Sequence, residues 1–412
     1  MDIFEQGKKV KHASGELAKV SVAQLNKGIC LIADELLKNK KQIIKANEID
    51  VKNGRMNGLP EAKIDRLILD EDRITSLAAD VRAVSAMPDV LGDFEGFTRP
   101  NGLKVTKLRV SLGVVGMIYE SRPNVTVDAA VLCLKSGNAT LLRGGKEAMH
   151  TNRALVAVIK EALVKGGLPD ASVELVEDPS REEVMKMMKM DQYLDLLIPR
   201  GGASLIKSVK ENATVPMIET GTGNCHIYIN EDADDDMALA ILTNAKVQRP
   251  SVCNACESVV IDQSIAPRML PQIKEALSAH GVLLKGCEKT VAIIDIPQAK
   301  PADFYTEYND LMISVKVVAH IDEAISHINE HSTKHSEAII TNNGMYAKKF
   351  LHQIDAACVY HNASTRFSDG SELGFGAEIG ISTQKLHARG PFALEALTTY
   401  KYVIEGEGQI RH

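Results

Sequence analysis

The chain contains no tryptophan, and only 4% of its 412 residues are aromatic. A platform for stacking nucleic-acid bases needs exposed rings, so that class of function is disfavoured. Positive charge is not in excess: 48 Lys and Arg stand against 54 Asp and Glu, a net charge of −6. The electrostatic footprint of a nucleic-acid binder is therefore missing, and any anionic ligand must be met by local cations. Long apolar runs are missing as well. Residues 129–134 are typical of the longer ones and are closed by Asp128 and Lys135, far short of a membrane span. The opening Met1-Asp2-Ile3-Phe4-Glu5-Gln6 lacks the apolar centre of a signal peptide. Seven scattered cysteines, an odd number, suit a reducing compartment better than a disulfide framework. A cytoplasmic location is the expectation. Nor is there a G-x-G-x-x-G fingerprint; Gly221-Thr222-Gly223 does not make one.

What is present reads as an α/β protein of more than one domain. The first hundred residues read as helical, with Leu25, Ile29, Ile32, Leu36 and Leu37 at helical spacing. From Val105 onward, strand and helix patterns alternate. Strands are predicted at 114–119, 139–142, 173–176, 194–198 and 215–218, with helices over 125–134 and 146–164. A second series has strands at 226–229, 258–261, 314–318 and 337–341, with helices over 236–247, 266–280, 321–329 and 344–354. Such alternation implies parallel sheets covered on both faces. The β-prone tail, Thr398 to Ile404, must pair with something, and Lys104 to Val110 is a candidate partner within the chain.

One cysteine stands apart. In Gln248-Arg249-Pro250-Ser251-Val252-Cys253-Asn254-Ala255-Cys256-Glu257, Cys253 follows a Pro-containing turn and precedes an apolar run. A thiol at such a junction is partly exposed, and the nearby Arg249 favours the thiolate, the nucleophilic form. Cys30, Cys133 and Cys358 read instead as small buried hydrophobes. Cys256 makes a C-x-x-C spacing with Cys253, but it opens an apolar strand and no second such pair exists, which favours packing. His331 and His335 have helical metal-binding spacing, yet Ser332 stands where a metalloprotease glutamate would be and Ser332-Thr333 suggests a helix end. No metal is expected.

Five segments occur in order: Tyr119-Glu120-Ser121-Arg122-Pro123-Asn124-Val125-Thr126, Leu141-Leu142-Arg143-Gly144-Gly145-Lys146-Glu147-Ala148, Gln248 to Asn254, His331 to Ile339, and Thr383-Gln384-Lys385-Leu386-His387-Ala388-Arg389-Gly390-Pro391. Together they resemble the gamma-glutamyl phosphate reductase family (glutamate-5-semialdehyde dehydrogenases) of the aldehyde dehydrogenase superfamily, over essentially the whole chain. The resemblance implies an aldehyde dehydrogenase-like α/β fold: two α/β domains with parallel sheets plus a small β oligomerisation/hinge element. The NADPH-binding domain would be 1–103 and 119–225, the catalytic domain 226–381, and the β element 104–118 and 382–412. The implied reaction is NADPH-dependent reduction of L-glutamyl 5-phosphate to glutamate 5-semialdehyde and phosphate, the second step of proline biosynthesis. A dimer or tetramer, and a functional association with glutamate 5-kinase, are further implications.

In this family reading Cys253 forms the thioester, and Asn124 supplies an amide to the oxyanion together with the Cys253 N–H. Asn124 also reads as a plain N-cap of the helix that follows it. Arg143, Gly144 and Lys146 lie between a strand and a helix, where backbone amides favour anions. Arg143 resembles an adenosine-side lysine, and Lys146 favours a 2′-phosphate and so NADPH. Gly201 and Gly202 resemble a second pyrophosphate-approach turn, and Glu307 a glutamate that holds the nicotinamide ribose. Arg122 and Arg249 flank the catalytic residues and suit the acyl phosphate, while Arg366 suits the α-carboxylate. Each of these arginines also reads as a surface ion-pair partner. Two other chemistries stay open: an aldehyde-oxidising dehydrogenase using Glu219 as base, and a cysteine hydrolase or acyltransferase pairing Cys253 with His226 or His361.

Overall fold

The computed structural model describes residues 2–411. The chain divides into two compact units, one of residues 1–219, Phe375–Gly380 and 392–412, the other of Thr220–Gly374 and Ile381–Pro391.

Five helices open the first unit: α1 (Ile3–Leu17), α2 (Val22–Lys38), α3 (Lys40–Met56), α4 (Glu61–Leu67) and α5 (Glu71–Ala86). Asp2, Ser21 and Asp70 accept backbone N–H bonds at the starts of α1, α2 and α5, which satisfies donors that a helix leaves unpaired. Leu25, Ile29, Ile32 and Leu36 form the buried stripe of α2. The helical reading fails at its end, because Gly92–Thr98 is a strand, β1, paired antiparallel with β2 (Lys104–Ser111). Residues 95–98 are exposed, so β1 exists through backbone pairing and has no apolar alternation to announce it. On the other side of β2 lies β15 (Thr398–Glu405), in register from Thr398 opposite Ser111 to Glu405 opposite Lys104. The tail therefore pairs where its sequence requires.

The main sheet of this unit is built from β3 (Val114–Tyr119), β4 (Ala139–Arg143), β5 (Val173–Leu175) and β6 (Leu196–Arg200), in the order β5-β4-β3-β6 and parallel throughout. Helices α6 (Pro123–Lys135), α7 (Met149–Lys165), α8 (Arg181–Met187) and α9 (Ala203–Asn212) accompany it. All six residues of β3 are buried, as in a strand covered on both faces. Residues 114–118 thus belong to this sheet and not to the β element expected at 104–118. The strand expected at 215–218 reduces to one bridge between Met217 and Leu197; Pro216 has no N–H to extend the ladder.

The second unit holds β7 (Cys225–Ile229), α10 (Asp235–Val247), β8 (Cys256–Asp262), β9 (Leu283–Gly286), β10 (Met312–Val318), β11 (Ser336–Ile340) and β12 (Cys358–His361). Its sheet is parallel in the order β12-β11-β7-β8-β10-β9. β9 and β12, four residues each, carry too little pattern to be predicted. Two further short strands, β13 (Gly380–Ser382) and β14 (Gly390–Phe392), pair with each other. The helix Ile321–His331 stops where Ser332 does, so His331 and His335 do not share a helix face. Of the cysteines read as buried hydrophobes, Cys133 is buried, whereas Cys30 and Cys358 are half-buried. Cys256 is fully buried in β8, in keeping with packing.

Two of the sequence motifs converge on one carboxylate. Asp355 pairs with Lys334 at 2.9 Å, Lys385 at 3.0 Å and Arg389 at 2.7 Å, tying the 383–391 segment to the entry of β12. These cations hold the Asp355 carboxyl well below the usual carboxylate range. A group depressed in the folded state adds stability above its unfolded pKa, about 3.9, and that stability is lost as pH falls through the folded value. Asp355→Asn is therefore expected to lower the urea midpoint at pH 7, with the gap from the parent closing below about pH 4.

Candidate active site

The thiol sits where its sequence context placed it. α10 ends at Val247, Gln248 caps it, and residues 249–255 turn into β8. Cys253 lies half-buried in that turn. Its backbone is packed tightly from one side: a Cβ placed on Gly223 would stand 1.4 Å from the Cys253 carbonyl oxygen and 2.3 Å from its carbon. That oxygen also accepts the Cys225 S–H at 3.2 Å. Gly223 in turn donates its N–H to Glu307 Oε1 at 2.7 Å, so the structure brings Glu307 to the nucleophile turn. The loop carrying Glu307 is anchored at Asn309, a left-handed residue (φ 55°) whose N–H reaches Glu257 Oε1 at 3.3 Å. Glu257 and Lys246 form a fully buried ion pair at 2.7 Å. Burial pushes the Glu257 carboxyl up to about 7, with Lys246 pulling it the other way.

Arg366 and Arg249 meet at the same turn. The Arg366 guanidinium donates through Nε to Gln248 Oε1 at 2.9 Å and through Nη1 to Asn254 Oδ1. Burial lowers its pKa most, and Arg249 adds to that, while Asp369 and Cys253 oppose it. Arg249 is exposed. Among the described residues neither arginine forms an ion pair with a carboxylate. The surface-pairing reading of these two therefore fails. Asn254 is buried, donates to Ser368 O at 2.9 Å and to Arg366 O at 3.2 Å, and accepts from Thr365 Oγ1 at 2.7 Å.

The histidines proposed for a hydrolase are engaged elsewhere. His226 Nδ1 meets Glu337 Oε2 at 3.0 Å, and His361 Nε2 meets the Thr341 carbonyl at 3.0 Å. Buried His335 has its pKa pushed down to about 4 by desolvation.

In the first unit the remaining candidates sit at the ends of β3, β4 and β6. Ser121 has φ 40°, and its N–H donates to Glu147 Oε1 at 2.8 Å, which holds the strained residue in place. Arg122 occupies the N-cap position and Pro123 the first turn of α6, where a missing N–H costs nothing. The N-cap reading of Asn124 is therefore corrected: Asn124 is exposed inside the first turn and donates to Asp128 Oδ2 at 3.0 Å. Burial raises the Asp128 carboxyl to about 6, a shift that the Asn124 bond opposes.

Arg143 donates to the Pro179 carbonyl, and its buried Nε has no hydrogen-bond partner among the described residues. Lys146 is exposed and forms no ion pair among the described residues. A Cβ on Gly144 would strike Asn152 Nδ2 at 2.1 Å. On Gly201 it would meet Leu205 at 2.7 Å, and on Gly202 nothing within 4 Å. The Gly202 N–H already points at Glu120 Oε2, 3.3 Å away. Glu219 pairs with Lys210 at 2.9 Å, a structural contact for the residue weighed as an oxidative base.

These two parallel α/β units, one with a thiol at the turn into a strand, define an aldehyde dehydrogenase architecture. The family model "Aldehyde dehydrogenase family" matches residues 7–296. Among curated relatives, the gamma-glutamyl phosphate reductase of Caldanaerobacter subterraneus subsp. tengcongensis is 53% identical over 413 residues, covering 100% of both chains. That of Clostridium beijerinckii is 52% identical over 412 residues, again covering both. The solved gamma-glutamyl phosphate reductase of Thermotoga maritima superposes with a TM-score of 0.98 at 48% identity, covering 100% of each chain. The chain belongs to the aldehyde dehydrogenase family and, within it, to the gamma-glutamyl phosphate reductases.

Sequence reasoning missed Gly223 and Asn254. Gly223 registered only as part of a failed dinucleotide fingerprint, and no local signal ties it to residue 253. Asn254 sat inside the quoted motif, but its role depends on contacts more than a hundred positions away. Gly223→Ala is expected to force the Cys253 carbonyl aside. Turnover should fall by about two orders of magnitude, as for a misplacement near 1 Å, while circular dichroism stays that of the parent. A fully active alanine variant would show that the turn is not fixed from that side.

Proposed function

We propose that this chain reduces L-glutamyl 5-phosphate to L-glutamate 5-semialdehyde and phosphate with NADPH, as the second step of proline biosynthesis. The half-buried Cys253 beside two arginines that form no ion pair among the described residues carries the reading. Cations near a thiol favour its thiolate. That sulfur attacks the γ-acyl carbon, the C–O bond to phosphate breaks, and phosphate leaves with its electron pair, giving a thioester on Cys253. Arg249, and Arg122 from its place ahead of α6, bind the departing phosphate. A nicotinamide, when bound, would supply the hydride to the thioester carbon. Asn124 then stabilises the resulting oxyanion by side-chain donation, an interaction typically worth about 3 kcal/mol. Collapse of that oxyanion expels the Cys253 thiolate and releases the aldehyde.

For the dinucleotide, the first unit offers a suitable donor set: the Lys146 ammonium and the Arg143 Nε, neither with a partner among the described residues, and open space at Gly202. Lys146 supports a 2′-phosphate and thus NADPH, with Gly144 and Gly201 allowing close backbone approach and Glu307 addressing the nicotinamide ribose. The carboxylates of Glu120 and Glu147 face the same loops and would have to stay on their present N–H donors when phosphates bind. A homo-oligomer, cytoplasmic location and association with glutamate 5-kinase complete the proposal. No helix among the described residues is long and apolar enough to cross a membrane.

The reaction is tested in reverse, with pyrroline-5-carboxylate, which hydrates to the semialdehyde, and NADP⁺ at controlled phosphate. NADPH formation should require phosphate, and Cys253→Ala should abolish it by at least about four orders of magnitude. A rate indifferent to phosphate, or retained by the alanine variant, contradicts the reading. Cofactor choice is tested separately: Lys146→Glu should raise the KM for NADP⁺ about tenfold more than that for NAD⁺, about 1.4 kcal/mol. Equal changes would remove the 2′-phosphate from Lys146.

A further inference from the structure

The surroundings of Arg366 raise a question that the proposed reaction leaves open, namely which cation receives the amino-acid end of the substrate. Two of its nitrogens are already occupied, Nε by Gln248 and Nη1 by Asn254. Both partners are amide oxygens, so they fix the plane of the guanidinium without cancelling its charge. Nη2 makes no hydrogen bond among the described residues. Asn254 is itself immobilised by its bonds to Ser368 O, Arg366 O and Thr365 Oγ1. Gln248 caps α10 and is exposed. The arrangement joins the nucleophile turn to the 365–368 turn through one half-buried cation. Arg249 crowds this half-buried guanidinium, while Asp369 and Glu372 offset part of its charge without bonding to it among the described residues; a planar carboxylate would match its open fork.

We propose that Gln248 and Asn254 are positioning residues that hold Arg366, bonded to no carboxylate among the described residues, as the receptor for the substrate's α-carboxylate. The inference rests on the reaction proposed above. It goes beyond that reaction by making selectivity for an amino-acid aldehyde over a simple one depend on two neutral side chains that flank the nucleophile. Exchanging a neutral oxygen for a charged one at 2.9 Å from Nε would seat a permanent carboxylate on Arg366 in competition with the substrate's.

The test uses Gln248, because Asn254 is buried and its variants risk misfolding. Full-length parent, Gln248→Glu and Gln248→Met are assayed for phosphate-dependent NADP⁺ reduction with glutamate 5-semialdehyde and with butanal, which has no α-carboxylate. The kcat/KM ratio of semialdehyde to butanal should fall about tenfold in Gln248→Glu, through KM for the semialdehyde, as expected when a charged contact is lost. In Gln248→Met, where only orientation is lost, the fall should be about threefold. A purely structural role would lower both substrates in step, and a ratio equal to the parent's in both variants overturns the inference. A parent enzyme with no preference for the semialdehyde, or no phosphate dependence, overturns it together with the reaction, and is seen before any variant is compared.

Discussion

The organisation of the second unit depends on one steric fact: no side chain fits between residue 223 and the carbonyl of Cys253. The segment before β7 and the turn before β8 are pressed backbone against backbone, and the adjacent Cys225 adds an S–H bond to the same oxygen. A nucleophile on a loop is ordinarily mobile. Here the chain around the sulfur is fixed by glycine contact on one side and by the β8 ladder on the other. The N–H of that same glycine holds Glu307, and the loop carrying Glu307 is held by the buried Lys246–Glu257 pair. Rigid backbone and a buried charge pair thus position a thiol whose own side chain remains half-exposed, an arrangement that suits preorganised covalent chemistry.

Electrostatics divides the charged residues into two groups. Most lysines and arginines near functional segments are neutralised: Lys246 by Glu257, Lys210 by Glu219, and Lys334, Lys385 and Arg389 by Asp355. Arg249 and Arg366 form no ion pair with a carboxylate among the described residues, and the hydrogen bonds of the Arg366 side chain go to amide oxygens. In a chain of net charge −6, two adjacent guanidiniums bonded to no carboxylate among the described residues, with Asp369 and Glu372 acting on Arg366 only from a distance, are a local exception that suits an incoming anion. The thiolate is one such anion, and the phosphate and carboxylate of the proposed substrate are others.

Much of this was legible in the sequence for physical reasons. Continuous apolar runs such as Val114–Tyr119 announced buried parallel strands, and the β-prone residues of the tail announced a strand that needs a partner, which β2 supplies. The cysteine turn was marked by proline, arginine and the strand that follows. What escaped had no such mark. β1 is made by backbone pairing of a segment with two glycines whose residues 95–98 are exposed. The helix start at Pro123 displaced Asn124 from the cap, since proline's fixed φ outweighs asparagine's capping preference. Gly223 and Asn254 matter through partners distant along the chain, and no local pattern encodes a tertiary contact.

The account stands most directly on a glutamyl group becoming attached to Cys253. Enzyme mixed with pyrroline-5-carboxylate and NADP⁺ without phosphate, then quenched in acid to keep the amine from cyclising onto the thioester, can be digested and mapped by mass spectrometry. The account predicts one glutamyl adduct per chain on the peptide carrying Cys253, discharged when phosphate is added before the quench. NADPH formed at one equivalent per chain with no adduct there, or with the adduct on another cysteine, would contradict it.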